Sequence, residues 1–244
     1  MNGVLQELGR GLAEAVFPPV CVDCGGLVEG GPYRHVCYRC APLITRVEAP
    51  FCSTCGHPFY GELAGERMCP HCESLRPAYR EGRTLVLLKG PARALVHELK
   101  YHHGRHVLAD METLARENEA VMNFIRGGTL VPVPLHPRKE RRRTYNQAGL
   151  LAEALARAAG GGTGVARLLR RVVDTPTQTH FDRATRRANL KNAFALASRV
   201  VINPGTHYIL VDDVFTTGST LNSCAGLLRQ KGARQLDVVT FGHG

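Results

Sequence analysis

Asp212 and Asp213, followed by Thr216-Thr217-Gly218-Ser219-Thr220, form the stretch of this chain best equipped for chemistry. Adjacent carboxylates suit a sugar diol or a hydrated Mg²⁺. A run of hydroxyls with one glycine supplies donors and lets the backbone approach an anion closely. Phosphate, diol and metal side by side describe a phosphorylated ribose. The flanking residues must position these groups. Tyr208–Val211 is a short apolar run that predicts a buried strand. Leu221, Ala225, Leu227 and Leu228 carry an apolar helical face as far as Gly232. A strand, a turn and a helix in that order leave free amides at the helix start, which is an anion site. Helix capping alone would need one hydroxyl and no acid pair. A Walker loop is excluded because no Gly-Lys-Ser/Thr occurs.

Eight of the nine cysteines form four C-x₂-C pairs: Cys21/Cys24, Cys37/Cys40, Cys52/Cys55 and Cys69/Cys72. The spacing repeats as two halves, each C-x₂-C-x₁₂₋₁₃-C-x₂-C, which is metal-ligand spacing. Four thiolates close a tetrahedral Zn²⁺ site and leave no position for water or substrate, so two structural zincs are expected. Few aliphatics are available in this segment, and metal supplies the stability that a small core cannot. Gly25 and Gly56 follow the first pair of each half, where glycine permits a tight knuckle; Ala41 and Glu73 follow the second pairs. The asymmetry favours sequential sites, one per half, although spacing alone also allows cross-braced pairing. The spacing is not that of ferredoxin clusters. His57 and His71 sit beside ligands but are expected to be spectators. Cys224 is expected to pack as a small hydrophobe in the last helix.

Length and composition set the frame. The 244 residues suffice for one large domain and a small one. The expected units are an amphipathic helix over 1–18, a double zinc ribbon over 19–78 and an α/β domain over 79–244. Val4, Leu5, Leu8, Leu12, Val16 and Phe17 give the helix its periodicity, and Pro18-Pro19 ends it. No run has membrane-span length, and the first residues do not look like a signal peptide, so a cytoplasmic protein is expected. Cysteines in that compartment serve metals more than disulfides. Net charge is +10, yet residues 138–191 alone hold 13 Lys/Arg against 4 Asp/Glu. The first 80 residues hold 7 against 8, and binding two Zn²⁺ through eight thiolates would take them to −5.

Other elements follow from periodicity. Residues 83–88 predict a strand, 91–101 a helix started by Pro91, and 107–120 a helix. Thr129–Pro134 predicts a strand that its prolines end early or place near an edge. A basic loop follows, with five of the six residues 138–143 positive. A helix over 146–159 stops at Gly160-Gly161-Gly162. Leu168–Val173 predicts a strand. Thr175–Phe194 is polar, basic and aperiodic, and predicts a mobile hood over an anionic ligand. Val200–Val201 and Leu236–Thr240 complete an α/β sheet.

Residues 209–221 closely resemble the thirteen-residue 5-phosphoribosyl 1-pyrophosphate (PRPP) motif of type I phosphoribosyltransferases. Nearly the whole chain resembles the ComF family of phosphoribosyltransferase-like proteins. The resemblance rests on Phe17-Pro18-Pro19 before the cysteines, Leu99-Lys100-Tyr101, Pro132-Val133-Pro134 with Tyr145-Asn146-Gln147, Thr175-x₂-Gln178, Arg186-x₂-Asn189 and Phe194. Two departures stand out. Thr144 occupies a position that is usually glycine in that family, and Phe181 one that is usually leucine.

The resemblance implies a type I phosphoribosyltransferase fold, a mainly parallel sheet flanked by helices, behind a double zinc ribbon. It implies Mg²⁺-PRPP as ligand, with Asp212 and Asp213 as the catalytic pair on the ribose and Thr216, Thr217, Gly218, Ser219 and Thr220 on the 5′-phosphate. Arg138 and Arg143 would face the pyrophosphate, and Arg183, Arg186 and Arg187 would close from the hood. Transfer would pass through an oxocarbenium-like sugar and needs charge stabilisation rather than a nucleophile. The family further implies a role in DNA uptake during natural transformation, or in DNA utilisation. Two other readings remain open at this level. Residues 138–191 could track single-stranded DNA on a scaffold without turnover. The acidic zinc ribbon could dock a helicase or pilus component of the uptake machinery.

Overall fold

The computed structural model describes residues 18–59, 68–173 and 193–244. The expected N-terminal helix and the hood arginines Arg183, Arg186 and Arg187 lie outside the described residues, as do Gln178 and Asn189. In chain order the elements are α1 (Pro70–Glu73), β1 (Gly82–Leu87), α2 (Gly90–Tyr101), α3 (Leu108–Arg116), α4 (Glu119–Ile125), β2 (Thr129–Pro132), α5 (Pro137–Arg143), α6 (Gln147–Ala159), β3 (Gly164–Val165), β4 (Leu169–Arg171), β5 (Phe194–Leu196), β6 (His207–Phe215), α7 (Ser219–Gln230) and β7 (Gln235–His243). Five strands form one sheet in the order β1-β7-β6-β2-β3, and every pairing in it is parallel. β4 and β5 form a separate antiparallel pair.

A parallel sheet is covered on both faces, so its strands are apolar throughout and send alternate residues to opposite sides. Ile209 and Val211 of β6 join Val239 and Phe241 of β7 on the face covered by α2, α3, α4 and α6. Tyr208 and Leu210 join Leu236 and Val238 on the other face, under α7 and the β4–β5 pair. The two cysteine groups divide the same way. Cys21, Cys37 and Cys40 pack with the first cluster, while Cys52, Cys55, Cys69 and Cys72 pack with the second.

The chain linking the two cysteine groups runs along the free edge of β1. Val47 N–H donates to Leu85 O and Leu87 N–H to Thr45 O, both at 2.9 Å, and Arg46 bridges antiparallel to Val86. Gly82 N–H donates to Ser53 O at 2.7 Å. These bonds cover an edge that would otherwise offer itself to another strand. Contact is close enough to require glycine at the second knuckle. Gly56 has φ +73°, and a Cβ there would lie 2.6 Å from the backbone nitrogen of Thr84. On the other face, the buried Asp110 carboxylate of α3 accepts Arg34 N–H at 2.8 Å and His35 N–H at 2.7 Å.

Several expectations change. The helix expected over 107–120 is two, because the Asn118 side chain accepts Val121 N–H at 3.0 Å and starts α4. β2 does end early, at Pro132, yet it lies inside the sheet between β6 and the two-residue β3. The basic segment is the helix α5 rather than a loop, begun by Pro137 and capped by His136 Nδ1. Phe194 opens β5 instead of closing the hood. Val200–Val201 joins no strand, and Val201 is 88 % exposed. Among the described residues no helix is long and apolar enough to cross a membrane.

Candidate functional site

β6 does not stop before its acids. It continues through Asp212 and Asp213 to Phe215, with Asp212 beside Thr240 and Phe215 beside His243 of β7. Ladder bonds therefore hold the carboxylates on rigid backbone at the carboxyl end of the sheet, where parallel α/β folds place their ligands. The chain then turns through Thr216 and Thr217 to Gly218, whose left-handed φ of +67° starts α7. Side chains enforce glycine as much as the torsion does. A Cβ on Gly218 would come within 2.5 Å of Phe215 Cζ and 2.9 Å of Leu75 Cδ2. Thr217 Oγ1 donates to Ser219 Oγ at 3.0 Å and takes a long contact from Ser219 N–H at 3.4 Å. The N-cap residue is Gly218, with no side chain to cap the helix, so the first-turn amides beyond Ser219 stand ready for an anion.

These residues line a cleft of about 290 Å³ together with Lys100, Tyr101, Lys139, Arg143, Gln147 and Arg171. Thr216, Thr217, Gly218, Ser219 and Thr220 all reach it, as do Asp212, Asp213 and Arg143. Arg138 does not line it; its helix turns the neighbouring Lys139 inward instead. Lys100, Lys139, Gln147 and Arg171 are additions to the expected set. Lys100 and Gln147 lie within the quoted Leu-Lys-Tyr and Tyr-Asn-Gln motifs, so a signal existed. Arg171 arrives on β4 with no motif to announce it.

Electrostatics in the cleft is tightly organised. Lys100 Nζ lies 2.9 Å from Asp213 Oδ1, and Asp213 N–H donates to Asp212 Oδ1 at 2.9 Å. Asp213 Oδ2 is buried with no partner among the described residues, and so is Gln147 Oε1. Burial, and after it the Asp213 charge, pushes the Asp212 carboxyl up to about 7, while Lys100 pulls it the other way. Tyr145 Oη donates to Leu99 O at 2.7 Å and fixes the end of α2 beneath Lys100.

The cysteines fall into two groups of four, Cys21/Cys24/Cys37/Cys40 and Cys52/Cys55/Cys69/Cys72, with sulfurs in each within 4.8 Å of one another. The pairing is sequential. The Cys24–Cys37 and Cys55–Cys69 sulfur separations are 3.7 and 3.8 Å. A tetrahedron of ~2.3 Å Zn–S bonds requires nearly that spacing, so both groups fit structural zinc. Backbone N–H groups of His57 and Cys69 point at Cys55 Sγ and Cys52 Sγ from 3.4 and 3.2 Å. Such bonds orient thiolate ligands. Cys224 is fully buried in α7, as expected of a packed hydrophobe.

Comparison with known proteins gives this arrangement a family. Residues 12–73 match the double zinc ribbon domain. The chain is 32 % identical over 209 residues to DNA utilization protein YhgH of Salmonella typhi, covering 83 % of this chain and 88 % of that one. It is 31 % identical over 224 residues to Competence protein F of Haemophilus influenzae, covering 89 % and 94 %. The chain belongs to the ComF family. These relatives cover far more of the chain than the matched ribbon alone. Among solved structures, a hypoxanthine phosphoribosyltransferase from Staphylococcus aureus is similar over 55 % of this chain and 62 % of that one, at 15 % identity and TM-score 0.35. So loose a likeness carries no argument about activity.

Two predictions follow from local geometry. Thr144 sits at φ +65°, the left-handed region that favours glycine. A β-branched residue there is strained, and its Oγ1 bond to Arg143 O at 2.6 Å offsets only part of the cost. Thr144→Gly is expected to raise stability by up to about 1 kcal/mol in thermal melts; lowered stability would contradict the strain. The second concerns pH. Asp212 has a folded pKa above its unfolded value, so its ionisation costs stability as pH rises from about 4 through 7. Asp212→Asn cannot ionise. Its melting temperature relative to the parent is expected to climb between pH 4 and 8, by the equivalent of roughly 2 kcal/mol given the partial exposure of Asp212. A difference that stays flat with pH would contradict the raised value.

Proposed function

We propose that the cleft binds PRPP with Mg²⁺ and that the protein acts as a phosphoribosyltransferase in the uptake or utilisation of DNA. One observation carries the reading: an acid pair fixed on β6 meets the open start of α7 across a turn that only glycine can make. The residues then have separate tasks. Thr216–Thr220 and the first amides of α7 hold the 5′-phosphate. Asp212 and Asp213 hold the ribose diol and stabilise positive charge growing on the sugar carbon as its bond to pyrophosphate lengthens. Lys139, Arg143 and Arg171 balance the leaving pyrophosphate from the remaining walls. Mg²⁺, when bound, neutralises phosphoryl charge and orients the sugar. The Asp213 Oδ2 atom, buried without a partner, fits a site completed by a cation or a hydroxyl donor.

Family resemblance points the pathway role toward DNA, since the relatives include a competence protein and DNA utilization proteins. Isothermal titration of PRPP with Mg²⁺ tests the site. Asp212→Asn/Asp213→Asn is expected to weaken binding at least about tenfold, the loss of charge-assisted bonds. Equal affinity in parent and variant would remove the acids from the account.

A second reading has its own observation. Tyr101 is 56 % exposed on the cleft rim, and the Arg143 guanidinium lies 5.3 Å over its ring. Beside it, Arg141 and Arg142 project into solvent from α5. Cationic side chains flanking an exposed aromatic suit single-stranded DNA, with stacking on the ring and phosphates on the arginines. Arg141→Ala/Arg142→Ala/Arg143→Ala is expected to weaken single-stranded DNA binding and flatten its log–log salt slope by about 2. A slope unchanged by the substitutions would exclude phosphate contacts there.

A further inference from the structure

Lys100 is a cleft cation held by an ion pair on the acid pair itself. It stands in the last turn of α2, and its side chain is 20 % exposed against 6 % for Asp213. The ammonium engages Oδ1 of Asp213 and leaves Oδ2 buried and unmatched. The ammonium thus touches one of the two carboxylates, and the buried Oδ2 of Asp213 has no partner among the described residues. A divalent ion would correct both shortfalls, but the ammonium stands against the same carboxylate. Two ions of like sign this close repel strongly in a partly buried site.

We infer that Lys100 is the resident cation of the acid pair, displaced when Mg²⁺ arrives and then free to pair with the anionic part of the ligand. The inference rests on the proposed PRPP site and assigns its regulation. Lysine suits the task, being a compact point charge on a flexible stem that holds one oxygen and lets go of it without breaking a bidentate fork. The backbone beneath it stays fixed, because Tyr145 clamps Leu99 O at 2.7 Å. Only the side chain needs to move. Across the cleft lie the Thr216–Thr220 turn and its cations, so a bound phosphate or pyrophosphate offers the released ammonium a new partner. The consequence is coupling. Metal alone must expel Lys100 into an empty cleft and binds weakly. Metal with the sugar phosphate gives Lys100 somewhere to go, and the two bind cooperatively.

Mn²⁺ serves as the probe, read by electron paramagnetic resonance on the zinc-loaded full chain without PRPP, beside calorimetry of Mg²⁺-PRPP. Lys100→Met is expected to bind Mn²⁺ about tenfold tighter and Mg²⁺-PRPP about tenfold weaker, shifts of opposite sign. Lys100→Arg restores the charge and is expected to return Mn²⁺ affinity to the parent value; Lys100→Gln, which also removes the charge, replaces the methionine variant if that one fails to fold. Lys139→Met removes a second cleft cation, carried on α5, and is expected to weaken PRPP while leaving Mn²⁺ within about twofold. Mn²⁺ affinity that is unchanged or weaker in Lys100→Met overturns the inference. So does an equal gain in Lys139→Met, which would mean general cleft charge. The underlying site is judged separately: if Asp212→Asn/Asp213→Asn leaves PRPP affinity intact, the PRPP reading fails. If that variant loses affinity and Lys100→Met shows no opposite shifts, only the resident-cation role fails.

Discussion

Hydrogen bonding along the outer edge of β1 is the constraint on which the rest of the molecule depends. A parallel sheet must be covered on both faces and at its edges. The segment between the two cysteine groups closes the β1 edge, and the groups themselves pack on opposite faces of the sheet. Metal sites placed this way fold with the sheet, since each shares an apolar cluster with it. Gly56 and Asp110 show how little slack remains: one cannot accept a Cβ, and the other satisfies two ribbon amides with a single buried carboxylate.

Closing the sheet at its β1 edge leaves the carboxyl ends of β2 and β6 open. That is where the chemistry gathers. The cleft there sets four cations against two carboxylates, and the acids sit on strand backbone instead of a loop. Burial raises the energy of the Asp212 carboxylate in the absence of a ligand, and Lys100 offsets part of it. A site whose charges are incompletely matched when empty is one prepared to gain from binding. The zinc groups and the cleft thus divide the labour between stability at one edge and recognition at the end of the strands.

The parts legible in the sequence were those encoded locally. The run from Tyr208 to Leu228 carries strand, turn and helix in consecutive residues, and the hydroxyls mark the turn. Gly25 and Gly56 revealed which cysteine pair begins each half, and hence the sequential pairing now seen. What escaped depends on distant elements. Charged residues usually end a strand, so β6 was expected to stop at Val211, but pairing with β7 carries it to Phe215. Lys139 points inward and Arg138 does not because of helical phase in α5, a helix that a basic run does not announce. Arg171 reaches the cleft through an antiparallel pair, β4 with β5, whose partner strand is only three residues long. Thr144 stands out in the sequence only through the family resemblance, at a position where glycine is usual, and it does hold a glycine-like torsion.

The most direct measurement is the position of phosphorus and metal in a crystal of the zinc-loaded protein soaked with PRPP and Mg²⁺. The account predicts the 5′-phosphate on the amides that open α7, the ribose diol against Asp212 and Asp213, and the Lys100 ammonium moved off Asp213 toward the pyrophosphate. Ligand density elsewhere on the molecule, with the Thr216–Thr220 turn closed on its own side chains, would contradict it.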